Sequence, residues 1–410
     1  MSAEWNPMRW PKVWKDPSAL SLLKGSAIDC LVCDTNEELE PLRSAARKEG
    51  FQVVEAGTAP PGVSIVEGEW PGVQLSRGAG AQADAGPTGV PWVDTNGWKV
   101  RLAAATHPRT AIWVNAAPKA GARLSPDVFL VGVADSAAYG GRWIVSLPDQ
   151  VAEGILAGKS QAQGVWKQVV DASRFFAARK AWASYVPQAV VGVVSDFSGP
   201  NEFLSNELLN LIGRTGEQYR IILKSEISDA ALRGLRAVIY VDGAQPAPAL
   251  RKLILSFVTA GGMLITAPCW GPAPGTPATA EEHPRFKLRV LGKGRVAVAN
   301  EEPDDAYVLA GDAVILVSHR YDLVRVWNGG ALAAYYTKAP EGGQALVHLL
   351  FFANRAPDMA SVWVAGRYRS AKMWTVDRSE PRAVDMESRG DAVEVFLPPA
   401  SQYVALQLDV

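Results

Sequence analysis

Short apolar runs ending in polar residues punctuate the first 185 residues. They are "IDCLVCDTN", "FQVVEAG", "VSIVEGEW", "GVQLSRG", "VPWVDTNG", "TAIWVNAA", "VFLVGVADS" and "RWIVSLPD". Such runs suit strands of a parallel sheet covered on both faces. "NEELEPLRSAARKEG" reads as a crossover helix stopped at Gly50, and a long helix is expected from about Asp149 to Tyr185. Eight parallel strands suggest a (β/α)8 barrel. The connections are too short for a helix after every strand, because a βα unit needs about 30 residues. The expectation for 1–185 is therefore a reduced TIM-like barrel, with an irregular open α/β sheet as the competing reading.

Regular alternation starts near Pro187. "QAVVGVVSDF", "YRIILKS", "RAVIYVDG" and "MLITAP" read as strands. "GPNEFLSNELLNLIGRTG", "DAALRGL" and "APALRKLILSFVTAGG" read as helices, with Asn201 a candidate N-cap and Gly216 a stop. This pattern predicts a doubly wound α/β domain over 186–285. From Phe286 to the C-terminus, strand patterns alternate with turn residues, "YVLAGDAVILVS" among them, and predict a β-sandwich over 286–410. The fold class is thus multidomain α/β plus β.

The middle stretches, with "GKGRV", resemble the flavodoxin-like class I glutamine-amidotransferase-like domain of β-galactosidases that carry a trimerisation domain. "ALVHLLFFAN" and "VEVFLPPASQYVALQLD" resemble their terminal sandwich. The resemblance implies a glycoside-hydrolase-like protein acting on or binding an oligosaccharide through the N-terminal barrel. It also implies a middle domain that serves assembly, hence a homo-oligomer. Those hydrolases place one glutamate after barrel strand four and another after strand seven. Here the fourth candidate strand ends "QLSRG" and the seventh "VADS", so the pair is not matched. A non-catalytic sugar-binding or scaffold protein with a degenerate barrel is the alternative.

Barrel sites sit at the C-terminal ends of strands. Glycoside hydrolysis needs two carboxyl groups across the scissile bond. Asp94 and Asp135 are the first choice, with Glu67 or Glu69 as the alternative acid. Trp70, Trp92 and Trp98 are candidate sugar platforms, or else pack beneath the loops. Asn96, Asn115 and Tyr139 are candidate hydroxyl partners. Arg77 and Arg142 either bind substrate or hold a carboxylate in a salt bridge.

Composition narrows this picture. Forty-one Lys plus Arg balance 42 Asp plus Glu, and the net charge of -1 gives no reason to expect a nucleic-acid or membrane-surface partner. "CLVC" has metal or redox spacing, but nothing nearby completes a zinc site, so buried cysteines are expected and no cofactor is implied. Cys269, in "TAPCWG", falls near the nucleophile position of working amidotransferases. The usual His-x-Glu partner is absent: His283 is followed by "PR" and His319 by "RYD". Three cysteines, no apolar signal core in "MSAEWNPMRWPKVWKDPSAL" and no bilayer-length apolar run predict a cytoplasmic protein.

Overall fold

The computed structural model describes residues 4–70, 73–77, 83–87, 95–118, 126–278, 282–352 and 359–410. Its first region contains β1 (Pro7–Arg9), β2 (Cys30–Cys33), α1 (Glu40–Lys48), β3 (Gln52–Glu55), β4 (Val63–Glu67), β5 (Val73–Arg77), β6 (Ala83–Pro87), α2 (Gly97–Thr106), β7 (Ala111–Asn115), α3 (Pro126–Ala137), β8 (Arg142–Trp143), α4 (Asp149–Leu156) and α5 (Ser160–Ala178). Two parallel three-stranded ladders run β1-β2-β3 and β4-β7-β8. A parallel bridge between Met8 and Val145 joins them, giving six parallel strands in the order β3-β2-β1-β8-β7-β4. Among the described residues no pairing links β3 to β4, so the ribbon of strands is open there.

Several expected strands take other forms. "VFLVGVADS" is helix α3. All residues from Val128 to Ser136 are buried, so the continuous apolar run marks a helix enclosed on every side, which periodicity alone cannot tell from a buried strand. β5 pairs antiparallel with β6 in a separate hairpin. "VPWVDTNG" lies outside the described residues through Asp94 and turns helical at Gly97. β1 lies in "NPMRW", which gave no strand signal. The long helix expected to Tyr185 is two helices broken at Gly158, where φ is +69°, followed by a 3₁₀ turn at Lys180–Ser184. Gly50, at φ +91°, does end the first crossover.

After β9 (Val186–Pro187) comes a seven-stranded sheet. It is built from β10 (Val191–Ser195), α6 (Glu202–Arg214), β11 (Tyr219–Leu223), α7 (Asp229–Leu232), β12 (Ala237–Tyr240), α8 (Pro248–Thr259), β13 (Met263–Thr266), β14 (Thr276–Pro277), β15 (Phe286–Leu291), β16 (Gly294–Ala299) and α9 (Ala306–Val317). Its order is β11-β10-β12-β13-β16-β15-β14, and the first five strands are parallel. Leu208, Leu209 and Ile212 of α6 pack with Leu309 and Ala313 of α9 on one face; Ile254 and Val258 of α8 cover the other. Strands β15 and β16 and helix α9 therefore belong with this sheet and not with a sandwich starting at 286. "YVLAGDAVILVS" is helix α9, capped by the Asp305 carboxylate, which accepts from the Tyr307 and Val308 N–H groups at 2.8 and 3.3 Å. The Asn201 side chain instead accepts from Gly243 N–H, at 2.7 Å, and makes no cap bond to α6.

The remaining strands are β17 (Val324–Trp327), β18 (Leu332–Lys338), β19 (Gln344–Phe351), β20 (Ser361–Ala365), β21 (Ser370–Trp374), β22 (Arg382–Ala383), β23 (Asp385–Arg389), β24 (Ala392–Phe396) and β25 (Tyr403–Asp409). They form two antiparallel sheets, β17-β20-β24-β23 and β22-β21-β25-β19-β18-β9. Val347, Leu349 and Leu406 meet Val362 and Val395 in the core between them. The alternate residues Leu346, Leu350, Tyr403 and Ala405 point the other way, into a core shared with Phe129, Val169 and Phe175 of α3 and α5. The six-stranded sheet is thus apolar on both faces. Deleting one such leucine side chain costs about 2–5 kcal/mol.

Two polar clamps tie the regions together. Gln218, just before β11, donates to Ala334 O at 3.0 Å and accepts from Tyr336 N–H at 2.9 Å. The Arg101 guanidinium of α2 sits 3.8 Å from the Tyr219 ring centre and 5.2 Å from that of Tyr335. The start of α2 thereby comes to lie beside α6. No helix among the described residues is long and apolar enough to cross a membrane.

Candidate functional site

The parallel strands end on one lip of the first region. There Arg9 Nη2 of β1 donates to Asn115 Oδ1 of β7 at 2.6 Å. Asn115 Nδ2 donates in turn to both carboxylate oxygens of Glu67, at 2.9 and 3.0 Å. Gly68 lets β4 run this close to β7, since a Cβ there would stand 2.4 Å from Val114. Glu67 is exposed and ends β4, as expected.

The next loop turns outward. Asn96, nearly fully buried, accepts from the Glu69 N–H at 2.8 Å and donates to the Glu69 carbonyl at 2.7 Å. It fastens the loop and has no exposed face for a sugar. The Glu69 carboxylate points to Lys99 Nζ at 3.5 Å, and Lys99 also donates to the Glu67 carbonyl at 2.9 Å. Glu69, Thr95, Trp98 and Lys99 form one wall of a cleft of about 490 Å³. Glu202, Phe203, Asn206, Glu207 and Asn210 of α6 form the other. Thr95 Oγ1 donates across the base to Asn210 Oδ1 at 3.2 Å. Phe203 is 77% exposed, and Trp98 is half-buried. Stacking faces, carboxylates and amides therefore converge on one hollow of small-ligand size.

A cleft of similar volume in the middle region is lined by the carboxylates of Glu301, Glu302, Asp304, Asp305 and Asp312, two of which serve the fold. Asp305 caps α9, and Asp312 holds Arg285 Nε at 2.6 Å.

Asp135 occupies a different place from the one expected. It lies inside α3, fully buried, and its Oδ2 accepts from the Asn96 N–H at 2.5 Å. Burial pushes its carboxyl up to about 7, against the pull of the Asn96 and Gly97 N–H groups. It caps the N-terminus of α2 from a neighbouring helix and faces no cleft. Trp92 and Asp94 lie outside the described residues, and Arg77 is described only as the last residue of β5. Trp70 packs edge-on to Phe129 and Trp143, with ring centres 5.4 and 5.2 Å away, as part of the core. Tyr139 lies over Gly97 and against Tyr335. Arg142 opens β8, at the opposite end from the lip, and donates to the Gly141 carbonyl at 2.9 Å. Of the expected residues, the structure pairs Glu67 with Asn115 at the strand ends and places Glu69 and Trp98 in the cleft.

Comparison with solved structures finds similarity in fold. The alpha-L-fucosidase isoenzyme 2 from Paenibacillus thiaminolyticus matches with a TM-score of 0.50 and 12% identity, over 91% of this chain and 70% of that one. The chain has a glycoside-hydrolase-like fold. A GH42 beta-galactosidase from G. stearothermophilus matches at TM-score 0.49 and 10% identity, over 91% of this chain and 66% of that one. A rhamnosidase from Novosphingobium sp. PP1Y matches at TM-score 0.49 and 11% identity, over 91% of this chain and 38% of that one. No family model matches the chain, and neither does any curated protein.

Strand β7 ends in Asn115, an amide, and "VADS" lies in helix α3 and not at a strand end. Cys269 shows no nucleophile character either. Burial and the neighbouring Glu302 carboxylate push its thiol up to about 12, and His283 lies against Asp312, 3.7 Å away. Cys30 and Cys33, on β2, are buried free thiols. Reading strand ends alone missed Arg9, Lys99 and the α6 wall. The α6 residues carried a signal, because Glu202, Asn206 and Asn210 recur every four positions and so share one helical face.

Proposed function

We propose that this chain is a carbohydrate-active protein that binds an oligosaccharide in the cleft between Trp98 and α6. One observation carries the reading: two aromatic faces, Trp98 and Phe203, share a hollow with the carboxylates and amides of Glu69, Asn206, Glu207 and Asn210. Aromatic rings stack on the apolar faces of pyranoses, and short polar groups bind their hydroxyls. The six parallel strands fit a cut-down (β/α)8 barrel lacking the strands that would link β3 to β4. The middle sheet fits an amidotransferase-like domain kept for assembly. Its helix α9 leaves Tyr307 and Ile315 exposed on one face, a surface for self-association. A strictly monomeric mass by light scattering removes that assignment. Free thiols at Cys30, Cys33 and Cys269 fit a reducing, cytoplasmic setting.

Hydrolysis is the second reading, favoured because Glu69 shares the cleft with Glu202 and Glu207. One carboxyl would protonate the leaving oxygen, and another would act as nucleophile or base. The amide at the end of β7 and the sealed position of Asp135 favour binding without turnover. A glycan array followed by calorimetry tests the proposal, and release of reducing ends separates the two readings. Failure of every glycan to bind the full chain overturns it.

A further inference from the structure

We infer that the outer face of the four-stranded sheet β17-β20-β24-β23 is a second carbohydrate site, which takes an extended, neutral polysaccharide chain laid across the strands. The inference rests on the proposed function for the class of ligand only, and it adds a platform elsewhere in the fold. Strand register fixes that platform. Trp327 of β17 pairs with Ser361 of β20, Ser361 with Phe396 of β24, and Phe396 with Asp385 of β23. Paired residues share a face of the sheet. The neighbouring row, Val326, Val362, Val395 and Met386, packs into the sandwich core, so the Trp327 row points to the outside. Trp327 is 44% exposed and Phe396 39% exposed; Ser361 is partly exposed and Asp385 exposed.

The chemistry of the row decides what it takes. Strands lie about 4.8 Å apart, so the two aromatic positions stand about 10 Å apart with only a serine side chain between them. A pyranose chain along the row stacks separate rings on Trp327 and Phe396 and carries the stretch between them over Ser361. Hydroxyls at the ring edges reach the Ser361 hydroxyl and the Asp385 carboxylate, both of which accept hydrogen bonds. Asn328 Nδ2 donates to the Met359 carbonyl at 3.3 Å and so ties the end of β17 to the segment leading into β20. The next outward row, Arg325, Trp363, Glu394 and Glu387, is engaged in contacts of its own. The Arg325 guanidinium lies 4.9 Å from the Trp363 ring centre and donates to Asp322 at 2.7 Å. Arg389 pairs with Glu394 at 3.0 Å and with Glu387 at 2.7 Å. Both cations of these outward rows are thus held by carboxylates, and an anionic sugar gains no free charge from them. The ion pairs also divide the apolar surface into separate rings. A protein partner buries a continuous apolar core, whereas a glycan needs separate stacking faces with hydroxyl-binding groups between them.

The test is calorimetry on the full chain carrying Phe203→Ala, which removes a stacking ring of the cleft and leaves the sheet face to be read. The probes are β-1,4-linked glucose oligomers of two and six rings. A dimer covers one aromatic position and a hexamer both, so the hexamer should bind about tenfold tighter through the second stacked ring. Trp327→Ala and Phe396→Ala should each weaken hexamer binding about tenfold, to the level of the dimer, and the double variant should lose it. Phe396→Tyr keeps a ring and should keep the affinity within about twofold. Both side chains lie outside the core, so melting temperatures should not change. Where an alanine variant melts early, Trp327→Thr and Phe396→Thr, which suit a strand, repeat the measurement. No hexamer binding, or an affinity unmoved in folded variants at both positions, overturns the inference; glycan binding by the parent chain then leaves the proposed function standing. Loss of a self-associated species in those variants, with glycan binding intact, assigns the face to a second copy of the chain and also overturns it. Hexamer binding that is untouched by Phe203→Ala and lost in the double variant supports the sheet site and removes the cleft reading instead.

Discussion

Replacing Asp135 by Asn separates a structural carboxyl from a catalytic one. The Asp135 carboxyl is fully buried, caps α2 through the Asn96 N–H, and is pushed from 3.8 to about 7. Between those values the folded chain holds a proton that the unfolded chain releases. Stability contributed by this group is therefore present at low pH and lost as pH rises through 7. A shift of this size corresponds to about 4 kcal/mol. Asparagine is isosteric and does not titrate, so Asp135→Asn should match the parent within about 1–2 kcal/mol near pH 4.5, where the parent carboxyl is neutral. As pH rises to 8, the melting-temperature gap should move in the variant's favour by about 4 °C for a chain of this length. Glu217 is also buried and pushed up to about 7, but it is common to both chains and cancels in the difference. Scanning fluorimetry from pH 4.5 to 8 reads the gap, and amide exchange in α2 localises it. Parallel melting curves across the whole range would refute the burial argument.

Phe203→Ala removes a ring that is 77% exposed; it should weaken glycan binding about three- to tenfold with no change in melting temperature, and undiminished affinity would exclude Phe203 from the site. Gln218→Ala strips the partner from the buried Tyr336 N–H and Ala334 carbonyl, which should cost about 3 kcal/mol and open the junction before β10 to limited proteolysis. The thiols of Cys30 and Cys33 are pushed up to about 12 and about 11, chiefly by burial. A disulfide-exchange reagent at pH 8 should therefore label the native chain far more slowly than the urea-unfolded chain, and rapid native labelling of both contradicts that environment.

The legible parts of the fold were those where local pattern and tertiary environment agree. The strands around "VVGVV", "AVIY" and "MLIT" sit between helices on both faces, and their continuous apolar runs announce it. Helices α3 and α9 misled for one shared reason. Helix α3 is buried nearly all round, and the exposed side of α9 carries Tyr307 and Ile315 in place of polar residues, so neither has the polar stripe that gives a surface helix its period. For α9 the Asp305 cap was a usable sign, while α3 begins directly after residues outside the description. The site divides in the same way. Glu67 and Asn115 were readable because they end strands. The polar face of α6 was legible as a face, but that it meets Lys99 was not, because tertiary contacts such as those of Arg101, Gln218 and Thr95 decide which helix face meets which loop. Asp135 was misassigned along with its element.

The six-stranded sheet acts as a party wall. Its middle strand, β19, is buried along nearly its whole length, with one set of side chains in the sandwich and the other set among α3 and α5. Neither neighbour can be cut away without baring a greasy plane that water cannot wet. The chain therefore has to be inherited, expressed and purified whole, and a mutation at Leu346 or Leu350 in the last region will be felt first as a loosened helix in the first.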